Sequence, residues 1–174
     1  MIVEPFWVHI SEPALRQGDL LPRCLVPIPG LDSAMENGPS EGTAIEYDLI
    51  VLTQSCDLDQ RKVRLVATRP IFPLPEFEAV NPAFARKGRW NEVLKGRIEG
   101  LHLLASPTVP ENDRQALVVD FREIYSLPYD YLTAYVTALG PRWRLKSPFL
   151  EHFSQAFARF FMRVGLPSTI PEFR

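Results

Sequence analysis

"EYDLIVLTQS", Glu46 to Ser55, is the stretch on which the fold turns. From Leu49 to Leu52 it is apolar at every position, so it reads as a strand buried on both faces rather than one with a solvated side. The segment that follows, "KVRLVATRPIF" from Lys62 to Phe72, sets Val63, Leu65 and Ala67 on one side and Arg64 on the other, the alternation of a second strand. Between them "CDLDQR" reads as a turn, which makes the pair an antiparallel hairpin with Cys56 at its exit.

Working outward, "QGDLLPRCLVPIP" (Gln17 to Pro29) is a strand interrupted by Pro22 and Pro27, and proline cannot donate to a central ladder, so an edge position follows. "GLDSAMENGPSEGT", the core of a loop expected over 30–46, is rich in Gly, Ser, Asn and acids and reads as mobile. "EGLHLLAS" and "QALVVDFREI" supply two more strands around the turn "PTVPENDR". Helices are expected from Phe84 to Lys95, although Gly88 interrupts the pattern, and in "LPYDYLTAYVTALGP", where Leu132, Tyr135, Val136 and Leu139 share a face. In the last helix Ser147 stands as N-cap, Pro148 at the first position and Phe149, Phe153, Phe157, Phe160 and Val164 along one stripe. Gly165 is the expected C-cap, and Glu151, Gln155, Arg159 and Arg163 lie opposite the stripe. These elements predict one α+β domain over 1–174. Its centre is a small, strongly bent antiparallel sheet or barrel over about 17–125 with an inserted segment at 75–99. A C-terminal helical part at 127–165 packs an amphipathic helix on that core.

The 174 residues suffice for a real core, and two cysteines, Cys24 and Cys56, are too few for a disulfide framework. No apolar run approaches the about 18 residues of a membrane span, and the expected address is cytoplasmic, with no membrane partner. A net charge of −2 argues against a dedicated nucleic-acid binder. It conceals a split: residues 1–60 hold ten acids and two bases, a net −8, and residues 61–174 hold eleven acids and seventeen bases, a net +6. Either these halves neutralise each other within one fold, or they offer surfaces to a protein partner or a second copy.

Four stretches, "QGDLL", "LIVLTQS", "VRLVATRPI" and "ALVVDFREIYSLPYDYL", resemble in order the segments of the PemK/MazF-like family and span roughly half the chain. That resemblance implies an SH3-like barrel, a bacterial toxin–antitoxin or defence-type setting, and, in the family's best-known members, ribosome-independent endoribonuclease activity. It also places Thr68 where the family carries a catalytic hydroxyl, with Arg69 after it. The basic residue usual before the first apolar strand is replaced here by Ile45, Glu46, Tyr47 and Asp48, whose charge repels a phosphodiester. The expected function is therefore an accessory or regulatory binding protein on such a barrel. A cysteine-dependent enzyme and an endoribonuclease-type toxin or RNA binder are the alternatives.

The chemistry-bearing residues fall into two groups. Cys56 beside Asp57 is the candidate nucleophile, requiring a histidine such as His102, oriented by Asp120, and a cation such as Arg61 or Lys62 to offset Asp57. The plainer reading makes Cys56 a small packed hydrophobe and Asp57 a turn cap. "FARKGRWNEVLKGR" and "PRWRLKSP" combine bases with tryptophans, so Arg86, Lys87, Arg89, Trp90, Lys95, Trp143 and Arg144 are candidates for binding an anionic partner, or else a solvated helix and packed rings. His9, His102, His152 and the two cysteines lack paired metal-ligand spacing, and no phosphate-cradling glycine loop is present, so neither a metal nor a cofactor is expected.

Overall fold

The computed structural model describes residues 6–28 and 43–162. Residues 30–42 of the loop expected over 30–46, and Arg163, Val164, Gly165 and Pro167 at the far end, lie outside the described residues, while 43–46 are not loop but the start of a strand. The chain order is β1 (Trp7–Ile10), β2 (Leu20–Ile28), β3 (Thr43–Val51), α1 (Ser55–Asp59), β4 (Leu65–Pro73), α2 (Leu74–Val80), α3 (Arg89–Leu94) and β5 (Leu101–Leu104). Then follow β6 (Leu117–Asp120), β7 (Tyr125–Pro128), α4 (Tyr129–Leu139), β8 (Arg142–Leu145) and α5 (Phe149–Phe161). The architecture is α+β with antiparallel sheets: β2-β3-β4-β6-β5 in one, with β7 also on β4, and a separate β1-β8 pair.

The predicted hairpin is β3-β4, with Leu49, Ile50 and Val51 opposite Pro70, Arg69 and Thr68. Its apolar run is continuous because the sheet is covered on both sides. Leu49 and Val51 face a core with Leu21, Cys24, Val26, Leu58, Val66, Leu127 and helix α4. Ile50 and Leu52 face a second core with Trp7, Ile71, Val119, Phe121, Leu145 and helix α5. β4 obeys the same rule, which corrects the expected facing: Val66 enters the first core, Ala67 and Ile71 the second, and Leu65 is 55% exposed. With both faces buried, alternation along β4 does not separate inside from outside.

β4 also bends the sheet. Its first half, Leu65 to Thr68, pairs with β7 and its last three residues pair with β6, so two strands share one neighbour in succession. β2 is the edge strand the prolines demanded, with a register shift between Leu21 and Cys24 where Arg23 takes φ 56°. Its outer carbonyls are occupied: Tyr131 Oη donates to Leu25 O at 2.8 Å and Tyr135 Oη donates to Pro22 O. Strand edges left open invite pairing with other chains, and α4 together with the prolines closes this one.

Several boundaries differ from expectation. The turn after β3 is a short helix, α1, which ends at Asp59, and Arg61 beyond it takes φ 49°. The single helix expected over Phe84–Lys95 is a 3-10 turn at Pro82–Ala85 and then α3, because Gly88 sits at φ 83° between them. α5 has Pro148 rather than Ser147 at its cap and no side-chain capping bond. The part beyond 127 is not purely helical: "RWRL" is strand β8, paired with β1 so that Trp7 faces Leu145. The inserted segment packs its own core of Leu74, Phe77, Val93, Leu101 and Val118.

Two residues of "QGDLL" knit these parts together. Gly18 at φ 81° bonds to Val51 O (2.9 Å) and accepts from Leu145 N (3.0 Å), and a Cβ there would lie 2.9 Å from Leu150 Cδ1, so only glycine fits. Asp19, fully buried, accepts Arg142 Nε at 2.9 Å and also Arg144 Nε, and Arg142 continues to Glu12 O and Ala14 O at 2.9 and 2.6 Å. The acidic N-terminal third and the basic remainder thus meet inside the molecule.

Candidate functional site

The nucleophile hypothesis assigns an environment to Cys56 that the fold does not supply. Cys56 sits exposed on α1, so it is not the packed residue expected. Its sulfur faces Gln54 Oε1 at 3.7 Å and Asp57 Oδ1 at 3.9 Å, and no histidine contacts it among the described residues. Asp57 does meet Lys62 at 3.9 Å, while Arg61 lies over the Tyr129 ring. His102 is elsewhere, on β5, against Phe121 and Phe153 at ring distances of 6.1 and 5.9 Å. Asp120 belongs to Arg122, which binds both its oxygens at 2.5–3.1 Å. Cys24 is the packed thiol, and burial pushes its pKa up.

The two residues singled out by the family resemblance are adjacent on β4 and inaccessible. Thr68 Oγ1 donates to Tyr125 O at 3.1 Å, tying β4 to β7. Arg69 points the other way, under α5, with its guanidinium 5.8 Å from the Phe121 ring centre and 5.2 Å from that of Phe157. Its Nε, Nη1 and Nη2 have no hydrogen-bond partner among the described residues. Burial lowers its pKa from the ordinary guanidinium value to about 10, against the opposing pull of Asp120 and Glu123, so it is still cationic at neutral pH.

The basic-aromatic candidates separate. Trp90 is packed against Phe77 and Phe84 and donates Nε1 to Glu78 at 2.8 Å, the structural of its two readings. Arg89 lies over Phe84, and Arg86 and Lys87 are exposed beside it. Trp143 packs edge-on to His9, and Arg144 is committed to Asp19 and Glu12. The two stretches therefore belong to different cores.

Where α3 and the turn to β5 approach α5, the surface opens into a cleft of about 280 Å³. α3 contributes Leu94, the turn after it contributes Lys95 and Glu99, β5 contributes His102, Phe121 forms the floor, and α5 contributes His152, Gln155 and Arg159. The fold makes this space because Gly100, at φ 89° with a Cβ position 3.1 Å from the Phe160 ring, lets β5 start directly under α5. Burial, aided by the neighbouring His152, lowers the His102 pKa to about 4 and keeps its imidazole neutral at physiological pH. Arg159 has no ion-pair partner among the described residues, while Lys95 holds Glu92 loosely at 3.9 Å. Leu94 in the lining is 68% exposed, and beyond the lining the end of α5 exposes Phe161 and Met162 at 54% and 77%. The sequence pattern carried half of this site, since Gln155 and Arg159 stand on the polar side of α5; their meeting with α3 is a tertiary event no local pattern encodes.

Among the described residues no three His, Cys, Asp or Glu side chains converge to hold a metal, and no helix is long and apolar enough to cross a membrane. No protein-family model and no curated protein matches the chain.

Proposed function

We propose that this protein is a binding component whose α3–α5 cleft holds an acidic, apolar-flanked segment of a partner protein. The observation that carries the reading is the make-up of that cleft: Arg159 and Lys95 outnumber the one lining carboxylate, Glu99, beside a neutral His102, with exposed Leu94 in the lining and Phe161 and Met162 beyond it at the end of α5. Exposed aliphatic and thioether groups next to cations suit a peptide with alternating acids and hydrophobes. A single-stranded nucleic acid asks instead for open aromatic planes along a basic track, and Trp90, the aromatic of the basic stretch, is packed. The lack of a histidine contact to Cys56 among the described residues and the commitment of Asp120 to Arg122, together with burial of Thr68 and Arg69, further support binding over catalysis. The wider setting, an accessory or regulatory component in a bacterial toxin–antitoxin or defence-type system, rests on the resemblance of the quoted segments. So does descent of the bent sheet from an SH3-like barrel.

A fluorescent peptide alternating Asp and Glu with Leu and Phe, followed by anisotropy, tests the reading. Binding should weaken at least about tenfold when K95E and R159E reverse the rim charge, and should survive C56S. Absence of binding, indifference to the reversals, or tighter capture of a single-stranded RNA of equal charge would overturn it.

A further inference from the structure

Arg69 is the least explained side chain in the molecule. A guanidinium carries five N–H donors in a planar fork, and buried polar groups are almost always hydrogen-bonded. Arg69 is 0% exposed, yet all three of its nitrogens lack acceptors among the described residues. The nearby carboxylate of Asp120 is taken on both oxygens by Arg122. What surrounds the guanidinium is a box of ring faces, Phe121 and Phe157, which satisfies its charge in part and its hydrogen bonds not at all.

One wall of that box is also the floor of the cleft. Phe121 lines the cleft and lies against the Arg69 guanidinium, so the two spaces share a single ring. The other wall is the weaker end of α5. Burial along that helix falls from Phe153, fully buried, through the half-buried Phe157 and Phe160 to exposed Phe161 and Met162, and helix ends open locally at low free energy.

We propose that Arg69 is the concealed anchor of a carboxylate site: the end of α5 swings Phe157 aside, and the guanidinium takes a carboxylate of the acidic segment docked in the cleft. The source of that carboxylate rests on the reading given under Proposed function; the anion site itself does not. A fork aimed into an apolar box is matched by a planar, two-oxygen acceptor, which can fill two donors at once and whose charge the low-dielectric surroundings reward. Closed, the site is a cation without an acceptor; open, it is a bidentate pair beneath a cleft lined by Lys95 and Arg159 as well as Glu99.

The test follows the Nε–Hε resonance of Arg69 in arginine-labelled protein, assigned by its disappearance in R69K. Titration with acetate should move this resonance saturably. F157A, which raises the population of the open form, should tighten acetate binding by roughly tenfold, and F157L serves if F157A does not fold. The acidic peptide should move the same resonance, and R69M should weaken the peptide without abolishing contacts at the rim. A resonance that acetate leaves unmoved in both wild type and the Phe157 variant overturns the anion site. Peptide binding with Arg69 unmoved leaves the docking surface standing and removes Arg69 from it. A response to acetate with none to the peptide keeps the anion site and removes the docked segment as its source.

Discussion

Replacing Arg69 by Met should make the protein more stable, an unusual outcome for a fully buried position. The fall in the Arg69 pKa from the ordinary guanidinium value to about 10 corresponds to about 3 kcal/mol against holding the charge in this site. Because the folded value is depressed, that penalty is fully present at pH 7 and is relieved only as pH climbs from about 10 toward the ordinary guanidinium value. Against its removal stand two ring contacts at 5.2 and 5.8 Å, worth about 0.5–1 kcal/mol each. The Met thioether, similar in reach, regains part of that by packing on the same rings, about 0.3–1.5 kcal/mol. The balance is a gain of about 1–3 kcal/mol, in line with exchanges of unsatisfied buried charges for apolar groups. For a chain of this size it corresponds to roughly 3–10 °C in Tm. Urea unfolding at pH 7 measures it through the midpoint, with the slope m unchanged. R69K is the control, since it keeps a charge that is more strongly hydrated than guanidinium and should lose stability. A fall of more than about 1 kcal/mol in R69M would refute the reasoning, because it would mean that the guanidinium makes net favourable bonds in the folded state.

D19N should cost about 3–5 kcal/mol in the same assay, since it leaves Arg142 and Arg144 without their shared counter-charge in a buried site; a loss below about 1 kcal/mol would mean that the Glu12 and Ala14 oxygens suffice. In the folded protein an alkylating reagent should modify Cys56 readily, as an exposed thiol, and leave Cys24 untouched until unfolding; mass mapping of the two sites settles it. His102 should make stability fall as pH drops from about 6.5 toward 4, because the unfolded chain takes up a proton that the folded chain holds off. The loss should be about 1–2 kcal/mol, allowing for partial exposure of the ring, and H102Q should remove that slope.

What local pattern could show, it showed: the β3-β4 hairpin, the proline-marked edge strand β2 and the phenylalanine stripe of α5 all follow from spacing and backbone chemistry. It failed where a tertiary partner decides. "RWRL" reads as a basic patch until Asp19 and Glu12 are seen to neutralise it and β1 to pair with it. Arg69 is singled out only through the family resemblance, because nothing in its neighbours announces that α5 will close over it. Cys56 shows the limit in the opposite sense. Its apolar approach suggested packing, yet the strand ends at Val51 and the chain leaves the sheet before the thiol is reached. The cleft residues come from α3, β5 and α5, separated in sequence by tens of positions, and periodicity within one element cannot register them.

The charge split between the two parts of the chain has a structural outlet that narrows where a partner can act. Asp19 and Glu12 absorb Arg142 and Arg144, Arg16 reaches Asp59 at 3.5 Å, and the Glu12 carboxyl is held below its usual range by Arg144. This part of the asymmetry closes the fold, and charge reversal at Arg144 would test folding rather than recognition. Among the described residues, positive charge that is not consumed in this way survives at exposed Arg86 and Lys87 ahead of α3 and, lining the cleft, at Arg159 and, loosely paired, at Lys95. The last two stand within the same cleft wall as Phe121, behind which Arg69 waits. On the proposed reading, an acidic partner docked in this cleft would also relieve a buried, unsatisfied charge. Each carboxylate that reached Arg69 would convert a destabilising feature of the free protein into affinity. Binding there should accordingly stabilise the wild type against urea more than it stabilises R69M; equal stabilisation of the two would separate the rim from the anchor.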